Sequence, residues 1–354
     1  MTLLYVVLAI VLLGVLIMVH ELGHFAASRL CGIAVKEFSI GFGPKLVQWK
    51  SKKHETVFSI RPIPLGGYCM FYGDTDDDPK GEKKDDPRNY NNAPVWKRMI
   101  SVVSGPLMNM VLAFVVAVVL MAAYGVAVST PFIASVEDGQ PAAAAGLQAG
   151  DVFVSVDGLD MTNQSVTYAS NAIGGASDGK PVELTVSRDG EELTFQIEPS
   201  FDAAEQRYRI GVMIQQGYKP IPTNRIIPAA WDTCVEASGA ILNAIGKLFT
   251  TGEGLNQTAG PVGVVQLVAE ETRQGGLEIF LYLTVIISIN LGLMNLLPIP
   301  GLDGSRLVFM LIEAIRRKPV SQRIESMVHL CGYVFLFGFM LFFTFKDVLR
   351  LFGA

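Results

Sequence analysis

The run LIMVHELGHF, residues 16–25, sets His20 and His24 four residues apart with Glu21 between them. On an α-helix that separation puts both imidazoles on one face, one turn apart, near enough to share a metal ion. The flanking glutamate is then free to take a proton from a metal-bound water. Zinc held in this way lowers the pKa of its water to about 7 and polarises a carbonyl. Two histidines leave it short of a ligand, so a third donor has to come from elsewhere in the chain. The chain has four histidines in all, and two fall in a stretch so apolar that a structural histidine would lack a ready partner. Neither His54 nor His329 has a partner at ligand spacing, and they read as a solvated and an interfacial residue.

The third donor can be sought in NLLPIPGLDGSR, residues 295–306, which carries Asp303. Pro298, Pro300, Gly301 and Gly304 break the helix there, freeing backbone groups and turning an acid inward, which suits a metal cavity and is wasteful against lipid. Taken alone, Asp303 could equally cap a helix that follows the break.

The elements that must position these groups are membrane elements. Of 354 residues, 50% are hydrophobic and 17% charged, and the mean hydropathy is +0.39, which excludes an ordinary soluble protein. Four stretches, 3–24, 99–124, 279–300 and 330–351, have the length a helix needs to cross a bilayer. The first reads as a retained helix rather than a cleaved signal, since no Lys or Arg precedes Arg29 and no A-x-A-like site precedes His20. Basic residues crowd 34–98 and recur as Arg306, Arg316, Arg317, Lys318 and Arg323. Both short loops therefore read as cytoplasmic, with both termini and the 125–278 segment outside. The net charge of −5 and the absence of a basic face give no sign of a nucleic-acid partner. Cys234 is alone in the outer segment, so no disulfide is expected.

Between the first two spans, 35–73 alternates in short runs punctuated by glycine and proline and reads as β-hairpins set against the membrane. Residues 74–98 are charge-dense and read as a solvated loop. Asp76, Asp77 and Asp78 cluster there without a spacing that demands a metal. In the outer segment strands are expected near 131–136, 151–156, 182–187 and 192–197, with a short helix after Pro141. Residues 225–254 have amphipathic helical spacing and read as a helix along the membrane surface.

HELGH in the first span, GPLMN (105–109) in the second and NLLPIPGLDG (295–304) in the third resemble the three motifs of the site-2 protease family of intramembrane zinc metalloproteases. More narrowly the chain resembles the bacterial regulator-of-sigma-E protease group. GQPAAAAGLQAGDVFVSVDG, residues 139–158, is similar to protease-linked PDZ modules, which add an extended peptide to a sheet edge. One such copy is visible, whereas some members of the group carry two.

The resemblance implies His20, His24 and Asp303 as zinc ligands and Glu21 as general base. It implies Asn295 and Asn109 as polar groups near substrate backbone or the developing oxyanion, the alternative for both being hydrogen bonds between packed helices. Gly146, Leu147, Gly150 and Asp151 would form the peptide-binding turn of the PDZ-like module. The implied fold is a polytopic α-helical membrane protein of about four transmembrane helices, with a membrane-associated β-hairpin region and an extracytoplasmic PDZ-like α/β domain. Its parts run 1–34 (first span), 35–98 (hairpin region and charged loop), 99–124 (second span), 125–200 (PDZ-like domain), 201–278 (linker and amphipathic helix), 279–304 (third span), 305–329 (cytoplasmic loop) and 330–354 (fourth span). In the bacterial inner membrane it would cut the transmembrane segments of pre-trimmed single-span proteins, such as an anti-sigma factor or remnant signal peptides. The rival readings are a non-catalytic membrane receptor that binds peptides through its PDZ-like domain, and a metal transporter. A transporter would more often show inverted repeats of broken helices, and none is visible.

Overall fold

The structure, a computed structural model, describes residues 2–52, 55–73, 86–175, 180–202, 207–252 and 260–351. His54 and the cluster Asp76, Asp77 and Asp78 lie outside the described residues. The chain divides into two compact units, Met1–Ala117 with Ala230–Ala354, and Val118–Ala229.

The chain opens with α1 (Thr2–Leu30), then β1 (Val35–Phe42), β2 (Val47–Lys50), β3 (Val57–Ile60) and β4 (Ile63–Phe71), then α2 (Val95–Ala123). The middle of the chain forms β5 (Val126–Val136), α3 (Pro141–Ala145), β6 (Val152–Val156), β7 (Leu159–Asp160), α4 (Val166–Gly175), β8 (Val182–Arg188), β9 (Glu191–Ile197), β10 (Ser200–Asp202), β11 (Arg207–Arg209) and β12 (Val212–Lys219). It ends in α5 (Ile226–Thr251), α6 (Pro261–Leu296), α7 (Asp303–Arg316) and α8 (Gln322–Leu351).

Four helices among the described residues are long and apolar enough to cross a membrane: Leu3–Leu30, Val95–Ala123, Pro261–Leu296 and Arg323–Asp347. They fit a polytopic membrane protein, in which a helix satisfies its own backbone where no water can. The third starts well before residue 279. Glu270, Glu271 and Arg273 interrupt its first half and hide it from a hydropathy reading, yet Val264, Val265 and Val268 pack on Ala9, Leu12 and Leu16 of α1. Gly276, at φ 66°, breaks α6 between its charged and apolar halves.

The 35–73 region folds as one sheet in the order β2-β3-β1-β4 rather than as separate hairpins. β2 and β3 form a hairpin, but β3 runs parallel to β1, Phe38 standing opposite Phe58, and β4 crosses to the far side of β1. The rings of Phe38 and Phe58 meet Phe25 of α1 at centroid distances of 5.2 and 5.7 Å, which fixes the sheet to the helix that carries the histidines. β4 is an edge strand and lies along α1.

In the second unit, the sheet order is β12-β5-β6-β8-β9, with β7 on β6. Its core is built from Ile133, Leu147, Phe153, Val156, Met161, Leu184, Val186, Ile197 and Ile210. Strands at 126–136, 152–156, 182–188 and 191–197 overlap the four expected near 131–136, 151–156, 182–187 and 192–197. The sheet continues past residue 200, because β12 pairs antiparallel with β5, Val212 opposite Val136 and Lys219 opposite Val126. Its register shifts between Met213 and Ile214 and again between Gln215 and Gly217, which breaks the alternation by which a strand is recognised. α5 leaves Ile227, Trp231, Val235 and Leu242 exposed along one stripe.

Candidate metal centre

His20 and His24 face the first residue of α7. His20 Nε2 lies 3.0 Å from Asp303 Oδ2, His24 Nε2 lies 3.2 Å from the same oxygen, and the two Nε2 atoms are 3.1 Å apart. The rings meet edge to face, and both residues are more than nine-tenths buried. Gly301, at φ 96°, turns the chain ahead of Asp303, and a side chain at Gly304 would run into the Leu296 and Leu297 carbonyls, so α7 can start only with glycine there.

The donor set suits zinc. Tetrahedral zinc with bonds of about 2.0–2.1 Å holds its ligand atoms about 3.3 Å apart, close to the separations seen here. Three protein donors of N, N and O type leave the fourth position open, as in catalytic zinc sites. His24 Nδ1 lies 2.9 Å from the Ser101 carbonyl oxygen, which can only accept, so Nδ1 carries the proton and Nε2 presents its lone pair to the cluster.

Close approach of α1 and α2 places these groups. Gly105 lies against the His24 ring, and a side chain at Gly23 would strike the Ser104 carbonyl. The hydroxyls of Ser28 and Ser101 bond across the same crossing. Such small residues let helices in lipid approach until their backbones touch. Pro106 lies inside α2 one residue on from Gly105.

Glu21 points from the cluster toward the sheet. It takes a hydrogen bond from the backbone N–H of Cys69 on β4 and is within electrostatic reach of His20, His24 and Asp303. A carbon added at Gly67 would sit 3.5 Å from its Cγ. The edge of β4 that does not pair with β1 therefore faces Glu21. Ser101, Gly67 and Cys69 are not among the site residues expected from the sequence, where Gly105 figures only as the start of GPLMN. The small-residue spacing of Gly23, Ser28, Ser101 and Gly105 is the signal that could have found the helix crossing.

The remaining sequence-expected groups are distributed differently. Asn109 is fully buried, its side-chain amide 3.4 Å from His20 Nδ1 and its carbonyl accepting from Ser288 Oγ at 2.7 Å. Asn295 is half-buried near the end of α6 and donates to the Leu291 carbonyl of its own helix at 3.0 Å. Gly146 is the left-handed cap of α3, and Leu147 lies in the core of the second unit. The Gly150 N–H bonds the Ile133 carbonyl at 2.7 Å. Asp151 is buried against Arg188 with two contacts of 2.7 Å. Together the four form the turn between α3 and β6. A groove of this unit lies between α4 and β12. It has a volume of about 80 Å³ and is lined by Ile173, Ile210, Gly211, Val212 and Ile214 among others.

The model of a family described as Peptidase family M50 matches residues 8–339. Regulator of sigma-W protease RasP of Bacillus subtilis is 30% identical, over 98% of this chain and 99% of its own. Zinc metalloprotease RasP of Bacillus licheniformis is 31% identical over the same shares. A protein of Mesorhizobium japonicum, provisionally named a zinc metalloprotease, is 35% identical over 95% of this chain and 96% of its own. The PDZ domain of an SdrC-like protein from Listeria monocytogenes matches 25% of this chain and 90% of its own at 23% identity, with a TM-score of 0.22, too low to bear on the fold. With a family model over nearly all its residues and relatives aligned from end to end, the chain belongs to peptidase family M50.

Proposed function

We propose that the protein is a zinc-dependent intramembrane endopeptidase of the site-2 protease type, which cuts the transmembrane segment of single-span membrane proteins already trimmed on their outer side. The observation that carries this reading is the meeting of His20, His24 and Asp303 within one cluster, with Glu21 between that cluster and a sheet edge. Zinc bound there supplies a Lewis acid and an activated water. Glu21 accepts the proton of the attacking water and returns it to the leaving amine, which a carboxylate beside the reacting atoms can do in both directions.

A transmembrane helix hides its carbonyls in its own hydrogen bonds, so the substrate must unwind to be cut. The free edge of β4 offers backbone partners to the unwound segment as an added strand. Asn295 stands as the polar group for substrate backbone or the developing oxyanion. The turn of Gly146, Leu147, Gly150 and Asp151 supports the second unit as a PDZ-like peptide binder, with the α4–β12 groove as the receiving surface.

The protein sits in the bacterial inner membrane. The basic residues of 34–98 and 305–329 favour a cytoplasmic side for both loops and an outer side for both termini and the second unit. The RasP name of two relatives favours an anti-sigma-factor-like substrate, and remnant signal peptides have the same single-span form. A peptide receptor without catalysis has no use for an acid beside three converging metal donors.

The test is to co-express a tagged single-span substrate, its outer domain removed, with the wild-type chain or with Glu21→Gln. Processing by the wild type alone, with equal zinc content in the two proteins, supports the protease and the role of Glu21. Equal processing by both would remove the general base and the mechanism with it.

A further inference from the structure

Resting on the reading that zinc binds His20, His24 and Asp303, we propose that Asn109 is a positioning residue: its side-chain oxygen holds the Nδ1–H of His20 and so leaves Nε2 free for the metal. A neutral imidazole can ligate through Nε2 only if its proton stays on Nδ1. For His24 the Ser101 carbonyl secures this at 2.9 Å. For His20 the group at Nδ1 is the amide of Asn109, 3.4 Å away.

That amide fits its site in two orientations, which exchange NH2 and oxygen. With Nδ2 toward the ring, Nδ1 is the acceptor and the proton of His20 sits on Nε2. It would then point at His24 Nε2 and Asp303 Oδ2, where the metal belongs. In that orientation Asn109 Oδ1 is also buried with no hydrogen-bond partner. With the oxygen toward the ring, Nδ1–H is taken up and His20 matches His24.

The backbone of Asn109 is held independently of the histidine. Its carbonyl accepts from Ser288 Oγ of α6, and the bare Cα of Gly292 lets α6 close in, since a carbon added there would lie 2.9 Å from the Pro106 carbonyl oxygen and 3.6 Å from Asn109 Cβ. α6 thus sets the depth at which α2 offers the amide to His20. A fully buried side chain engaged with a histidine is poorly placed to touch substrate, which separates this role from the one the family resemblance suggests for Asn109.

The full-length protein in detergent tests this by zinc affinity, measured in competition with a chromophoric chelator, for wild type, Asn109→Leu and Asn109→Asp, alongside the melting temperature of each metal-free protein. Asn109→Leu removes the acceptor and is expected to bind zinc about 10–100-fold more weakly, the cost of losing a partner that orients a ligating histidine. Asn109→Asp keeps an acceptor oxygen and is expected to bind as wild type does. Unchanged affinity in the Leu variant overturns the proposal, as does an Asp variant as weak as the Leu one. Should the Leu variant not fold, the Asp variant decides alone: retained zinc supports the proposal and lost zinc overturns it. A wild type without zinc overturns the protease reading and this inference together, whereas a zinc-loaded wild type with equal variants overturns this inference only.

Discussion

Gly105 of α2 lies against the imidazole of His24, so near that a side-chain carbon there would overlap the ring at Cε1 and Nε2. The ring cannot yield without moving Nε2 from its 3.2 Å contact with Asp303. Gly105→Ala is therefore expected to lower substrate cleavage by about 10²-fold, the loss that a displacement near 1 Å causes at a reacting centre. Gly239→Ala on α5, where nothing lies within 4 Å, is the control and should cleave as wild type. Comparison of the two in the co-expression assay, with zinc content measured beside it, checks this.

Glu37 joins three strands of the sheet that backs Glu21. Its Oε1 accepts from Ser59 Oγ at 2.7 Å and from Arg61 Nη2 at 3.0 Å, and Lys45 Nζ lies 3.4 Å from Oε2. Burial works to raise its pKa, but the hydrogen bonds from Ser59, Arg61 and Tyr68 outweigh it and hold the carboxyl below its ordinary value of 4.5. The folded state thus binds the proton more weakly than the unfolded chain. Glu37 contributes its full stability above pH 4.5 and loses it as pH falls below 4.5 through the depressed folded value. Trp49 stacks on Phe58 in this sheet at 5.5 Å, so its fluorescence in a Trp96→Phe, Trp231→Phe background follows melting. Glu37→Gln should melt lower than the parent at pH 7, with the gap closing on acidification below pH 4.5.

Asp151 is 1% exposed, and Arg188 meets it with Nε on one oxygen and Nη2 on the other, both at 2.7 Å. Nη2 also donates to the Gly146 carbonyl at 2.9 Å, which ties β8 to the end of α3. Arg188→Leu leaves the buried carboxylate with the Gln148 N–H at 2.9 Å but no countercharge, and should destabilise the second unit by about 3–5 kcal/mol. Arg188→Lys should recover little, because an ammonium cannot repeat the two-pronged contact. Hydrogen exchange of β6 and β8 in the full-length protein reads the difference, and equal protection in all three proteins would exclude a structural role for the pair.

The sequence by itself determined what depends on local geometry. His20 and His24 share a face because a helix repeats every 3.6 residues, and the four apolar helices follow from backbone that must satisfy itself in lipid. The strand at 182–188 was legible because Val182, Leu184 and Val186 alternate over a buried face. Local pattern failed where packing overrides it. The charged first half of α6 is held by α1 through Val264 and Val268, and β12 joins its sheet across two shifts of register.

Only the tertiary structure decided which distant groups meet. Asp303 lies 283 residues from His20, and the NLLPIPGLDG stretch read alone left it as ligand or cap, a choice made by the turn that delivers α7 to α1. The Cys69 N–H on Glu21, the Ser101 carbonyl on His24 and the Asn109 amide on His20 carry no sequence signature, because backbone groups are common to every residue and an asparagine suits many helix contacts. Their roles come from small residues that let α1 and α2 approach until backbone itself lines the site, a closeness set by packing between helices rather than by any one of them.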